Sequence, residues 1–311
     1  MRHFGRELGL ALALLLFALV LGLSAPGFFA LGNLKNLALD NQPLLLVAVG
    51  MTLVILAGQI DVSVGAQFAA WGVVAGWLAK QGLPIGFVVL LALTFGALFG
   101  ALQGALVARG TPAIVVTLAS LAIVRGVLRW STGGRWIADL PPGFQWLGLG
   151  QGGGQLVGVV ATLLLFTLSA AALRWLHAGR VIFAVGCDAE AARLAGIRVE
   201  RVTRAVFAAM GAFAAAAALI SATRYPAIEI EAGAGLELQA IACVVLGGAS
   251  IRGGRGTLLG TLLGVCLLGT LGTALVFLGV GAAWERAVQG AIILAAVVPE
   301  ALMRAGRTRH G

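Results

Sequence analysis

Apolar segments of membrane-spanning length repeat along this chain of 311 residues and restrict its fold more than any other feature. A helix needs about 20 consecutive apolar residues to cross the hydrocarbon core of a bilayer. We count about ten segments near that length, at 8–29, 43–58, 62–79, 85–107, 113–131, 155–176, 204–223, 236–249, 257–278 and 284–303. The second and eighth are short, so either could be tilted, broken or re-entrant. The pattern predicts an all-α, polytopic membrane helix bundle that forms one domain over residues 1–311.

The basic residues divide unevenly between the two sets of loops. With the N-terminus in the cytoplasm, fourteen arginines fall on the cytoplasmic side and five basic residues fall outside, while two more lie in or near the fifth segment. Basic residues concentrate in cytoplasmic loops of membrane proteins, so the count predicts an N-in, C-in topology. The formal net charge of +9 follows from this topology, and we expect no nucleic-acid partner.

The chain lacks the residues that common enzyme sites require. A phosphate-binding loop needs lysine directly after glycine, but the only lysines are Lys35 and Lys80, and neither follows a glycine. The three histidines lie far apart in sequence, and no His-Glu-x-x-His string occurs. No histidine or lysine within the membrane segments could activate a nucleophilic serine. We therefore predict no catalytic, cofactor or metal site, and expect ATP to be engaged only by another protein.

One loop is dense in charge. Residues 174–204 hold nine of the thirty-three charged side chains and contain a short helix-forming string. Asp188 can cap this helix, Glu190 suits its first turn, and Gly196 can end it. Ala191, Leu194 and Ala195 form a small apolar stripe beside a Glu190–Arg193 pair. The bland alternative is a solvated loop; the sharper hypothesis is a cytoplasmic docking element for a soluble partner, within a loop at 177–203. Its residues are Asp188, Glu190, Ala191, Ala192, Arg193, Leu194, Ala195, Gly196 and Ile197.

Four residues are candidates for a transport pathway. Asp61 and Ser63 interrupt an apolar stretch at 57–65, where they either cap the third helix or line a pathway. Trp71 could stack on a sugar, although a packed or lipid-facing ring is commoner. Glu237 lies at the end of a segment. Acidic residues near apolar segments also keep open an ion-coupled secondary carrier of a small polar solute.

Glycines recur four residues apart within the segments, as at Gly96, Gly100 and Gly104. Glycines at this spacing share one helix face and allow two helix backbones to approach closely. We expect them to pack helices together within the bundle.

Several separate strings, in one order from about residue 40 to residue 300, resemble the permease subunits of ribose-type sugar ABC importers. They are Gly58-Gln-Ile-Asp-Val-Ser-Val-Gly65, Pro112-Ala-Ile-Val-Val-Thr-Leu118, Thr132-Gly-Gly-Arg-Trp-Ile137, Gly179-Arg-Val-Ile-Phe-Ala-Val-Gly186, Glu190-Ala-Ala-Arg-Leu-Ala-Gly-Ile197, Gly235-Leu-Glu-Leu-Gln-Ala-Ile-Ala242, Gly247-Gly and Gly253-Gly-Arg-Gly256. Residues 135–150 and 224–237 look most like rhamnose permeases and next like autoinducer-2 permeases. Gln59 departs from the glycine found in many members.

The resemblance implies a multi-pass permease of the bacterial inner membrane that imports a monosaccharide, with rhamnose favoured. It implies a dimer with a second copy or a sister permease, driven by a separate ATP-binding subunit that carries ATP and Mg²⁺. A periplasmic sugar-binding protein would deliver the substrate, and membrane lipid would surround the bundle. The segment Glu190–Ile197 would be the coupling helix, which fits a cleft on the ATP-binding subunit.

Overall fold

A computed structural model describes residues 2–281, 284, 287–292 and 294 of the protein. Twelve α-helices are bounded within the described part: α1 (Arg2–Ser24), α2 (Leu31–Asp40), α3 (Gln42–Leu56), α4 (Val64–Lys80), α5 (Ile85–Ala108), α6 (Ala113–Thr132), α7 (Gly150–Trp175), α8 (His177–Cys187), α9 (Ala189–Leu194), α10 (Val199–Ala222), α11 (Leu236–Leu246) and α12 (Leu258–Phe277). The all-α prediction is confirmed. Within these residues, extended pairing is limited to an isolated antiparallel bridge between Ile137 and Ile228.

Six of the helices are long and apolar enough to cross a membrane, and a seventh span results if α2 and α3 act together. These two helices meet at an angle of 41°. The second predicted segment, 43–58, corresponds to α3, the second helix of this bent pair. The eighth is the helix α11 of only 11 residues. Most of the tenth segment, 284–303, lies outside the described residues.

The first predicted segment, 8–29, is divided by a proline. Helix α1 ends at Ser24, and Pro26 begins a short 3₁₀ turn. Proline disfavours helical geometry in the residue before it, and Ala25 accordingly adopts φ −146° and ψ 66°. The chain then turns into α2.

Helix α10 lies at the centre of the bundle and packs on α5, α3 and α4. Its contact with α5 depends on glycine, because a Cβ on Gly100 would overlap the carbonyl oxygen of Phe207. A Cβ on Gly211 would likewise overlap the carbonyl oxygen of Gly96, and one on Gly104 would crowd Arg204. The predicted packing role of these glycines is confirmed.

The bundle has two distinct ends. At the α9 end, defined by residues 176–198, 247–257 and the end of α3, the amide of Gly254 donates to the carbonyl of Leu56 at 2.9 Å. At the opposite end, the bridge end, residues 133–149 meet residues 223–235. Lys80, the last residue of α4, donates from Nζ to the carbonyl of Ala138 there at 2.9 Å.

Candidate transport pathway and docking site

A polar cluster is buried where the chain breaks between α3 and α4. Asp61 Oδ1 accepts hydrogen bonds from the backbone N–H of Ser63 at 2.8 Å and from its Oγ at 2.6 Å. Gln67 Nε2 donates to Asp61 Oδ2 at 3.2 Å, and Gln103 Nε2 on α5 donates to Ser63 Oγ at 2.8 Å. All four side chains are buried. The cluster therefore joins the start of α4 to α5 through side-chain hydrogen bonds.

Of the two caps that the sequence allows at this break, the one by Ser63 does not form, while Asp61 Oδ1 accepts a hydrogen bond from the backbone N–H of Ser63. Ser63 occupies the N-cap position of α4 but makes no side-chain cap hydrogen bond. Its hydroxyl donates to Asp61 instead, and the amides of Gln67 and Gln103 donate to it in turn. Sequence reasoning missed both glutamines, although an amide within an apolar helix is a signal for a buried polar contact.

Glu237 lies at the start of α11, against the start of α4. Its Oε1 accepts a hydrogen bond from the N–H of Gly235 at 3.3 Å, and its buried Oε2 has no hydrogen-bond partner among the described residues. A Cβ on Gly65 would overlap Oε2, so the carboxylate and the first turn of α4 are in direct contact. The Glu237 carboxylate thus lies where α4 and α11 both begin. The dipoles of the two helices favour a negative charge at this position.

Trp71 lies two turns farther along α4. Its ring meets the ring of Phe99 on α5 edge to face, with centroids 5.8 Å apart. The side chain is partly buried against the core, and its Nε1 has no hydrogen-bond partner in the described part of the chain. The structure thus places Asp61 and Ser63 in one cluster, Glu237 beside Gly65, and Trp71 against α5.

Arg125 on α6 fixes the segment that leads into α11. Its Nη1 donates to the carbonyl of Ile230 at 2.9 Å, and its Nη2 donates to those of Ala232 at 3.1 Å and Gly65 at 3.2 Å. The side chain is only 15% exposed and lies 3.8 Å from a carboxylate oxygen of Glu231. Sequence reasoning did not assign it a role, although an arginine near an apolar span is a signal for such a contact.

A cavity of about 460 Å³, here called the vestibule, opens at the bridge end. Aromatic, hydroxyl and carboxylate groups line it together: Phe68, Trp136, Ser221, Tyr225 and Glu229. Trp136 also lines a neighbouring cavity of about 400 Å³ that contains Trp77, Lys80 and Asp139. Flat rings with nearby hydrogen-bonding groups suit a polyhydroxylated ligand. From the sequence, Trp136 is expected only as an anchor at the membrane interface.

At the α9 end, the predicted capping of the short helix is confirmed. Asp188 Oδ1 accepts hydrogen bonds from the N–H groups of Glu190 at 2.9 Å and Ala191 at 3.0 Å. Glu190 pairs with Arg193 at 2.6 Å. The helix ends before Gly196, whose φ of +83° favours glycine.

The surface of α9 is presented to solvent rather than to the bundle. Ala191, Leu194 and Ala195 are exposed, and Leu194 is 83% exposed. Ala192 is 5% exposed and instead faces the permease. A helix of six residues with an apolar tip is thus exposed at the surface of the bundle, where a second protein can contact it.

Beside α9, three backbone segments meet without intervening side chains. We call this contact the glycine junction; its residues are Gly58, Gly186, Gly253 and Gly254. A Cβ on Gly186 would overlap the carbonyl oxygen of Leu56, and one on Gly253 would lie 2.7 Å from the Cα of Gly58. The end of α8, the chain after α3 and the 247–257 turn are therefore in backbone contact. There is no room for a side chain between these three segments.

Known proteins with similar sequences cover nearly the whole chain. The autoinducer 2 import system permease protein LsrC of Enterobacter sp. (strain 638) is 36% identical over 98% of this chain and 89% of the relative. The ribose import permease protein RbsC of Escherichia coli (strain K12) is 36% identical over 92% of the chain and 91% of the relative. The ribose import permease protein RbsC of Haemophilus influenzae is 34% identical over 93% of the chain and 91% of the relative. No solved structure matches the chain.

The relatives are permease proteins of import systems, and the helices able to span a bilayer agree with that class. The chain is accordingly an inner-membrane permease component rather than an enzyme, and ATP hydrolysis belongs to a separate subunit. The family model of branched-chain amino acid transport system permease components matches residues 33–297. The chain belongs to this permease family.

Proposed function

We propose that this protein is the membrane subunit of an ATP-driven importer of a monosaccharide. Full-length similarity to ribose and autoinducer-2 import permeases is the observation that carries the proposal. The ion-coupled carrier has less support. Those relatives are named as import permeases, and both carboxylate oxygens of the candidate pathway residue Asp61 already accept hydrogen bonds from Ser63 or Gln67.

The ATP-binding subunit, which would hold ATP and Mg²⁺, docks on α9. The candidate contact residues are Asp188 to Ile197, with Leu194 as the apolar tip and the Glu190–Arg193 pair beside it. Force from the ATPase passes through α8 to the glycine junction, and from there along 57–63 to α4. The backbone contacts of the junction support this route, because the three segments touch directly and no side chain separates them.

The periplasmic binding protein docks at the bridge end and releases the sugar into the vestibule. This arrangement assumes an N-in, C-in topology and about ten spans. The topology is predicted from the distribution of arginines, and the number of spans from the apolar segments. We further propose a single domain that pairs with a second permease, either a copy of itself or a sister chain.

The sugar first contacts Trp136, Tyr225 and Glu229 in the vestibule. It then passes the region of Asp61, Ser63, Trp71 and Glu237 as α4 and α11 separate. Rhamnose stays the prediction from residues 135–150 and 224–237, while the relatives are named for ribose and autoinducer-2. All three compounds belong in the test.

The test is transport by the purified chain in liposomes. With its ATPase inside, its binding protein outside and ATP supplied, we expect accumulation of one radiolabelled sugar, and unlabelled competitors then rank rhamnose, ribose and autoinducer-2. The matched control is the same liposome with a proton or sodium gradient and no ATPase. Accumulation in that control, or none with the complete system, would overturn the proposal.

A further inference from the structure

A second large cavity, of about 490 Å³, lies between α3, α5, α7 and α10 and shares no lining residue with the vestibule. Helix α7 packs on α3, while α10 packs on both α3 and α5, and the cavity occupies the space between α7 and α10. Only 11% of the apolar window of α7 is buried. Most of α7 is thus left uncovered by the rest of the described chain, and an apolar surface of this length is one that membrane hydrocarbon can cover.

The lining of this cavity is apolar along most of its length. Val89 and Leu93 come from α5, Val157 and Leu165 from α7, and Phe213 from α10. The lining residues on α10 run from Ala209 to Ile220, and eleven residue rises of about 1.5 Å give a length of about 17 Å. One leaflet of a bilayer has a hydrocarbon depth of about 15 Å. The cavity is thus long enough to hold a lipid acyl chain.

Polar groups gather at one end, near the bridge end of the bundle. Gln42 is 5% exposed, and its Nε2 is a donor without a hydrogen-bond partner among the described residues. Arg224 also lines the cavity, and its Nη2 pairs with Asp40 Oδ1 at 2.8 Å. A guanidinium has five N–H donors, so this one ion pair leaves donors for another anion. Asp40 precedes Gln42 by two residues, so its ion pair holds the Arg224 guanidinium at the same end of the cavity as the Gln42 amide.

We propose that this cavity binds one glycerophospholipid of the membrane. An acyl chain fills the apolar part, the ester carbonyl accepts a hydrogen bond from Gln42 Nε2, and the phosphate contacts Arg224. The order of groups in the site, apolar then donor then cation, matches the order of chain, ester and phosphate in the lipid. A free sugar does not suit the site, because its hydroxyl groups would face apolar side chains.

The test measures lipid retained by the purified full-length chain with native mass spectrometry, using phosphatidylglycerol as the probe. Ala212 and Ala216 line the cavity and are partly buried, so the double variant Ala212→Leu, Ala216→Leu fills it with apolar atoms. We expect retention to fall at least tenfold. The matched control is Ala122→Leu on the exposed face of α6, which should retain lipid like the wild type.

Gln42→Leu tests the polar end without filling the cavity. Loss of one hydrogen bond to the ester predicts about fivefold weaker phosphatidylglycerol binding. This variant decides the question if the double variant does not fold. A photoactivatable acyl chain should label residues 209–220 or 154–165 of the wild type. Unchanged lipid retention in the folded variants, or cross-linking of this face to a second copy of the chain, would overturn the proposal.

Discussion

The two ends of the bundle differ in the chemical groups that meet there. At the α9 end, glycine backbones touch directly in the glycine junction, and a short helix projects beyond them. At the bridge end, side chains of Trp136, Tyr225 and Glu229 surround open space. Backbone contact transmits displacement with little loss, because there is no side chain to change rotamer. A cavity bounded by side chains can admit a ligand. This contrast agrees with the proposed roles, in which the α9 end receives the ATPase and the bridge end receives the sugar.

The largest effect is expected from Gly186→Ala at the glycine junction. Alanine normally favours a helix over glycine by roughly 1 kcal/mol, but here its Cβ would overlap the carbonyl of Leu56. We expect a lower melting temperature and loss of ATP-driven transport. The control Gly126→Ala on α6 meets no heavy atom within 4 Å and should be neutral or slightly stabilising. Normal transport by Gly186→Ala would mean that the junction is not a rigid link.

Arg125→Gln should have the next largest effect, at the other end. It removes charged hydrogen bonds to three carbonyls, each worth about 1.5–3 kcal/mol before partial compensation by the new amide. We expect the thermal stability and the transport rate both to fall. Arg129→Gln is the control, because Arg129 is 68% exposed and, within the described part of the chain, pairs with Glu231 alone. Equal effects of the two substitutions would show that the carbonyl contacts contribute nothing special.

Leu194→Asp sharpens the comparison at α9. Leu194 is 83% exposed, so the folded permease should tolerate aspartate, yet an ATPase cleft that covers this tip would bury the charge. We expect binding of the ATPase to weaken at least about tenfold, or ~1.4 kcal/mol, by pull-down titration. Leu31→Asp, at the 84% exposed first residue of α2, should leave that binding unchanged. ATPase binding at wild-type strength would place the docking surface elsewhere.

The smallest effect is expected from Trp136→Ala in the vestibule. Removing one stacking surface should raise the KM for sugar about fivefold, or ~1 kcal/mol, with kcat nearly unchanged. Trp130→Ala offers a matched control, since Trp130 is 85% exposed on α6. Transport assays at varied concentrations of the loaded binding protein give both constants. A fall in kcat with unchanged KM would assign Trp136 to structure rather than to substrate.

Much of the helical fold follows from the sequence, because apolar length and glycine spacing are local signals. Asp188 and Gly196 could be recognised for the same reason, since a cap and a stop depend on their immediate neighbours. The contacts of Gln103 and Arg125 could not be recognised in this way, because their partners lie 36 and more residues away in the chain. The vestibule also escaped prediction, since Trp136 and Tyr225 come together only when the segments at 133–149 and 223–235 fold onto each other.

The glycine junction also limits how this permease can be re-engineered. A graft of residues 177–203 from another permease, intended to recruit a different ATPase, would carry one of three surfaces that must fit together. The other two, around Gly58 and around Gly253 and Gly254, would still belong to the original protein. With the proposed docking of the ATPase on α9, exchange of ATPase specificity therefore requires all three segments to be transplanted as one unit, although Gly58 is more than a hundred residues from Gly186 and Gly186 is more than sixty from Gly253.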